Sequence, residues 1–439
     1  MNMTRILTFI FFYLSVSGTL AQRIEKIITE NDISRVLKTL SADGMMGRPA
    51  AEPARIEPAA KFLEQEFRSI GLQYLPGLNS YRQEFTKTRI SPKSASVVVN
   101  GKLIPSTDVL VVSEKGTVAM SGGMKVATIK ADTSVKNKMS YFYNKVRSLA
   151  ADTTPTLVLV DPALRAQFDR LRGFFMERFA SGQPGTSVLV IGPSSVEHYA
   201  VEITQEIAPV KMTNITGRIP GRSRREEMVV FSGHYDHIGI QQPVAGDSIA
   251  NGADDDASGT TAVVALARYF KKIGAQERTL VFAAFTAEEI GGFGSQHFSR
   301  QLDPEQVVAM FNIEMIGKES KFGRNAAFIT GFEKSDFGVI LQRNLSGTPF
   351  TFHPDPYPEQ DLFYRSDNAT LARLGVPAHT ISTDQIDIDK LYHSVDDEFE
   401  SMNIGNVTAT IRAIALSARG IVSGKDTPRR VNRQEIRGN

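Results

Sequence analysis

From residue 208 onward the chain alternates compact apolar runs with segments in which apolar side chains recur every three or four positions. Met228-Val229-Val230-Phe231-Ser232, the run 280–285, Met310-Phe311-Asn312-Ile313 and the run 376–381 read as buried strands. Between the first two, residues 258–273 set Val263, Leu266, Ala267 and Phe270 on one helical face and close at Gly274, the residue type that most easily takes the left-handed conformation ending a helix. Strands without a polar face, joined through helices, belong to sheets covered on both sides. The expected fold class is therefore α/β, a mainly parallel central sheet with helices on both faces. Residues 57–71 predict a further helix, with apolar positions 59, 62, 63, 67 and 70, Pro58 suited to its start and Gly71 to its end. From 86 to 207 the texture changes to short β-like runs at 95–99, 109–112, 157–160 and 187–191, interrupted by a charged helical segment over 163–180. That stretch carries no chemical cluster. It reads as an inserted smaller α/β module within a domain built from 22–85 and 208–425.

The first residues follow another pattern. Arg5 precedes a mostly apolar run from Ile6 to Val16, and Thr19-Leu20-Ala21 has the small-x-small form of a cleavage site. Residues 1–21 are expected to be a secretory signal peptide, too short for a membrane span. No other segment reaches about 18 unbroken apolar residues, so an exported chain without stable membrane insertion is expected. Hydrophobic residues make up 41% of the 439 and charged residues 22%, enough for a large core. A net charge of +2 with no basic stripe interleaved with aromatics gives no reason to expect a nucleic-acid partner. The basic tail, 426–439, with Arg429, Arg430, Arg433 and Arg437, reads as solvated. The absence of cysteine removes disulfides, thiolate ligands, a cysteine nucleophile and a lipid-bearing cysteine together. It fits a bacterial periplasm or secreted fraction.

Acidic and imidazole residues stand just after the predicted strands. In open α/β sheets ligands bind outside the carboxyl ends of the strands, where loops distant in sequence converge. His234 follows the run 228–232, Glu288 and Glu289 the run 280–285, and Glu314 the run 310–313. A neutral imidazole is a good zinc ligand when a partner fixes its tautomer, and Asp236 is placed to be that partner. Asp254-Asp255-Asp256 precedes the helix at 258. One or two of these acids suffice for helix capping, whereas a third adds repulsion that a divalent cation would relieve. Of Glu288 and Glu289, one can bind metal while the other stays free as a general base. His393 supplies a second imidazole with Asp396 three positions on.

The ordered set G-H-Y-D-H, G-A-D-D-D-A-S-G, T-A-E-E-I-G, N-I-E-M and Y-H-S-V-D-D resembles the M28 family of zinc peptidases, with lesser echoes in Asn214-Ile215-Thr216-Gly217 and Arg365-Ser366-Asp367. The resemblance implies a zinc-exopeptidase-like fold and two zinc ions. It implies His234 on one zinc, Asp255 bridging both, Glu289 and His393 on the other, and Glu314, where many relatives have Asp, completing the first site. Glu288 would be the general base, Asp236 would orient His234, and a cis peptide is implied at Asp255-Asp256. Relatives often carry a protease-associated insertion near 86–207. The activity expected is that of an aminopeptidase releasing N-terminal residues from peptide substrates through water activated by two metals. Tyr392, or else Tyr364, would donate to the oxyanion. The alternatives are a glutaminyl cyclase-type acyltransferase or a carboxypeptidase of the same fold, and a non-catalytic binding homologue.

Overall fold

A computed structural model of the chain describes residues 24–176 and 178–435, so the expected signal peptide lies outside the described residues. Two compact units are present, one from the segments up to Phe85 and from Met212 on, the other Thr86–Lys211.

The first unit is built on a sheet of strands β1 (Tyr199–Ile219, from Met212 on), β2 (Arg224–His234), β3 (Arg278–Phe285), β4 (Val307–Ile313), β5 (Ala326–Ile329), β6 (Thr351–Pro354) and β7 (Ala378–Ser382), in spatial order β6-β5-β7-β4-β2-β3-β1. The centre is parallel: β2 pairs with β3 and with β4, and β4 with β7. Antiparallel pairs occur between β3 and β1 and between β5 and β7. Every residue of β3, β4 and β7 is buried, which is why these strands appear in the sequence as unbroken apolar runs. Alternation along each strand sends successive side chains to opposite faces. On one face Phe231 lies opposite Phe282 and Phe311 in register, with ring centroids 5.5 and 4.8 Å away, and Phe270 of helix α3 packs 5.3 Å from it. On the other, Val230, Val281, Ala283 and Phe285 join Phe298 and Leu371, from the helices Phe293–Ser299 and Ala369–Arg373.

Helices α1 (Glu30–Leu40), α2 (Pro53–Ile70), α3 (Gly259–Ile273) and α4 (Ile404–Ser417) pack together on the Phe270 side. The start of α2 differs from expectation. Pro53 occupies the first turn, where a missing N–H costs nothing, and Pro58 falls inside the helix. Gly71 ends it at φ +75° as expected. The tail departs more. Val431 is buried and its N–H donates to Gly375 O, Arg430 donates to Val307 O and Pro304 O, and Arg433 pairs with Glu305 at 2.7 Å. The chain is thus docked through Arg433, because its arginines find carbonyls and a carboxylate at the edge of the β4 segment. No helix among the described residues is long and apolar enough to cross a membrane.

The second unit centres on four strands in the order Val109–Ser113, Thr186–Ile191, Thr156–Val160, Lys125–Ile129. Helices Lys138–Ala151 and Arg165–Phe175 bury Phe142, Val146, Phe168 and Leu171 on one face, and Val97, Val118, Val201 and Ile203 cover the other. The expected helical stretch 163–180 stops at Phe175, because Arg178–Phe179 pairs as a short strand with Arg89 and Ile90.

Candidate metal centre

The candidate residues of the first unit meet where β2, β3 and β4 end. His234 closes β2, and its N–H donates to Asp256 Oδ2 at 3.0 Å. Its Nδ1 lies 3.1 Å from the backbone O of Asp236, closer than the Asp236 carboxylate at 3.7 Å. Asp236 instead accepts the N–H groups of Glu288 (3.1 Å) and Glu289 (3.4 Å). Its backbone orients the imidazole, and its side chain holds the loop after β3.

The three adjacent acids divide the two roles that their sequence allowed. Asp256 accepts from Gly259 N at 2.9 Å and so caps α3, and it also accepts from Met315 N. Asp254 accepts from Gly317 N at 2.7 Å. Asp255, followed by a cis peptide, is left facing the imidazoles. Its Oδ1 is 3.3 Å from His234 Nε2 and its Oδ2 3.3 Å from His393 Nε2. Glu289 Oε2 lies 3.0 Å from His393 Nε2, and Glu314 Oε1 lies 4.0 Å from His234 Nε2. Glu288 lines the same cavity, beside apolar walls from Met315, Phe328 and Leu362. Tyr392 also lines it and stacks on the His393 ring at 3.9 Å. Tyr364 packs its ring against Phe363 and under Arg373.

The cluster crowds buried carboxylates against imidazoles, and each shifts the others' titration. Burial opposes charge on His234, but the Asp255 carboxylate 3.3 Å away and the nearby Glu288 and Asp256 carboxylates outweigh it and push its pKa well up. His393 is likewise pushed up to about 10, the Asp255 and Glu289 carboxylates overcoming burial. Burial, helped by like charges, raises Glu314 to about 7 and Glu288 well above the carboxylate range. The donor atoms of His234, Asp255 and Glu289 lie within 4.8 Å of one another, and the buried Nε2 atoms of His234 and His237 have no hydrogen-bond partner. Imidazole and carboxylate donors around such orphaned nitrogens fit zinc.

The family model for peptidase family M28 matches residues 214–418, a stretch that begins in β1 and contains all of these side chains. Residues 214–418 are a peptidase family M28 segment. Among curated proteins it is similar to a probable zinc metalloprotease of Leptosphaeria maculans, 30% identical over 148 residues, 33% of this chain and 33% of that one. It is also similar to leucine aminopeptidase 1 of Penicillium rubens, 27% identical over 230 residues, 49% of this chain and 57% of that one. The matched stretch thus spans between a third and somewhat over half of those relatives. Among solved structures, an aminopeptidase from Aneurinibacillus sp. strain AM-1 superposes with a TM-score of 0.55 at 16% identity, over 90% of this chain and 95% of that one, which shows a shared fold.

Three residues of the M28 segment and its surroundings contact the candidate centre without having been singled out. His237, within the G-H-Y-D-H motif, is buried and places Nδ1 2.7 Å from Glu289 Oε1. Asp397 accepts the N–H groups of Asp254 and Asp255, whereas its neighbour Asp396 is exposed. Arg48 donates to the carbonyls of Tyr235, Asn251 and Gly252. His237 and Asp397 were visible as motif members. Arg48 gave no signal, since its partners are main-chain atoms, three of the four nearly 190 residues or more away.

Proposed function

We propose that this M28 chain is an exported zinc aminopeptidase that releases N-terminal residues from peptides with two zinc ions bound. The observation that carries the proposal is the position of Asp255, one carboxylate 3.3 Å from both His234 and His393. Asp255 would bridge, with His234 and Glu314 on one side and Glu289 and His393 on the other. Bound there, zinc lowers the pKa of a water and polarises the scissile carbonyl. Glu288, whose buried carboxyl has a raised proton affinity, would take the proton of the attacking water and return it to the leaving amine. Burial and the Asp255 and Glu289 carboxylates raise the Tyr392 pKa, keeping its hydroxyl protonated as a donor to the oxygen that gains charge. The surrounding carboxylates favour an approaching α-ammonium group. Export rests on the reading of residues 1–21, and the peptidase domain would comprise 22–85 and 208–425, with 86–207 as an inserted module.

The test combines metal analysis of the purified protein with a panel of aminoacyl anilides, N-blocked peptides and C-terminally varied peptides. Two zinc ions per chain with cleavage of free N-termini alone is the expected result. Release of C-terminal residues, cyclisation of N-terminal glutamine or no hydrolysis by zinc-loaded protein would overturn it.

A further inference from the structure

A second group of acids lies behind the first. Asp254, Asp384 and Asp389 bring carboxylate oxygens within 4.8 Å of one another. They arrive from three segments: the loop before α3, the end of β7, and the loop leading to Tyr392 and His393. Asp254 is fully buried, Asp384 is 3% exposed, and the Asp389 side chain is 6% exposed. Lys318 supplies one countercharge, with Nζ 2.6 Å from Asp389 Oδ2 and 3.3 Å from Asp254 Oδ2. Three buried carboxylates therefore face one ammonium.

The remaining oxygens are accounted for one by one. Asp254 Oδ1 accepts from Gly317 N and Asp389 Oδ1 from Leu391 N. Both oxygens of Asp384 have no hydrogen-bond partner among the described residues, and Asp254 Oδ2 has only the 3.3 Å ion pair with Lys318. Asp384 borders the cavity, yet its two oxygens are closed off from solvent. A buried carboxylate without a partner is costly, and two events relieve it here. A proton on Asp384 would quench one charge, and burial with the neighbouring Asp254 and Asp389 raises its affinity for one. A cation would engage all the orphaned oxygens together. Donors that are all oxygen, from loops rather than a rigid frame, suit calcium's adaptable coordination better than that of zinc or magnesium.

We propose that Asp254, Asp384 and Asp389 form a calcium site distinct from the His234–His393 centre, with the Lys318 ammonium as its built-in competitor. Bound calcium would tie the Asp255 loop to the Tyr392–His393 loop.

The experiment is equilibrium dialysis of zinc-loaded protein against radioactive calcium, with zinc content and melting temperature measured on the same samples. One calcium per chain and a higher melting temperature are expected. Asp384→Asn and Asp389→Asn should weaken binding about tenfold or more without changing zinc content, by loss of a carboxylate ligand. Lys318→Met should tighten it by about tenfold, by removal of a competing charge. If the Asn variants do not fold, Lys318→Met decides: unchanged calcium affinity overturns the site. No saturable binding, or equal binding by wild type and Asp384→Asn, also overturns it and leaves the proton on Asp384. Zinc content and hydrolysis are read separately, so this outcome does not depend on whether the peptidase proposal stands.

Discussion

Arg48 is fully buried and donates to four carbonyls, those of Leu40, Tyr235, Asn251 and Gly252. Burial lowers its pKa while Asp236, Asp397 and Asp255 oppose the shift, and a guanidinium stays charged regardless. Arg48→Met would remove the shared donor of four carbonyls, of which Gly252 O keeps a second donor in Ala257 N, and take one buried positive charge from beside the acids. A loss of roughly 3–5 kcal/mol in denaturant unfolding is expected. Glu288 is the contrasting case, a residue for which a chemical role is proposed. Glu288→Gln keeps shape and backbone bonds, so bound zinc should be retained while kcat falls about 10²- to 10⁴-fold, the range for a lost general base. Zinc-loaded Glu288→Gln with full turnover would remove it from the mechanism. Residues such as His234 and Glu314 could be picked out because each ends or follows an apolar run. Arg48 could not, since carbonyls leave no trace in a sequence.

At the scale of elements, β2 and α3 approach so closely that side chains are excluded. A Cβ on Gly259 would collide with Ile313 O and the Asp256 carboxylate, and one on Gly233 would sit 2.8 Å from Asp256 Oδ2 and 3.0 Å from Ile313 O. Gly259→Ala should therefore cost about 1–3 kcal/mol and lower the zinc content, since the capping acid must move. Normal stability with full zinc occupancy would contradict this. Strand β7 carries a different sensitivity. His379 is buried, with Nδ1 donating to Thr330 O at 2.9 Å and Nε2 accepting from Ser335 Oγ at 2.7 Å, and burial lowers its pKa to about 4. The unfolded chain takes up this proton near pH 6.5, so the neutral ring's contribution is complete above pH 6.5 and is lost as pH falls towards 4. His379→Gln should be less stable at pH 7 but lose less stability than wild type between pH 7 and 4.5, by on the order of 2 kcal/mol in urea titrations. The strands themselves were legible because burial on both faces leaves unbroken apolar runs. Their exact ends and the start of α2 were not, because those depend on caps and on which of two prolines takes the first turn.

For the whole molecule, the buried titratable groups of the candidate centre make stability depend on pH, and on metal as well if the proposed zinc ions bind there. Burial raises Glu314 and Asp236 to about 7 and Asp397 to about 8, and Asp255 with Glu289 raises His393 to about 10 against burial. In the absence of metal, each of these groups binds its proton more tightly when folded than when unfolded. Each therefore favours the folded state at low pH and loses that effect as pH rises through its folded value. Asp255 and Glu289 are held below their usual range, despite burial, by the imidazoles around them, so their contribution is lost only near pH 4 and below. Across pH 5.5 to 8.5 the first group dominates. Metal-stripped protein should melt lower at pH 8.5 than at pH 5.5, by about 5 °C or more, given roughly 2–4 °C per kcal/mol for a domain of this size. Zinc acts with the opposite sign, because its ligands must be deprotonated and its affinity grows with pH. The gap in melting temperature between zinc-loaded and stripped protein should thus widen from pH 5.5 to 8.5. A gap that narrows, or stripped protein that gains stability over this range, would mean that the buried acids are compensated by something other than metal.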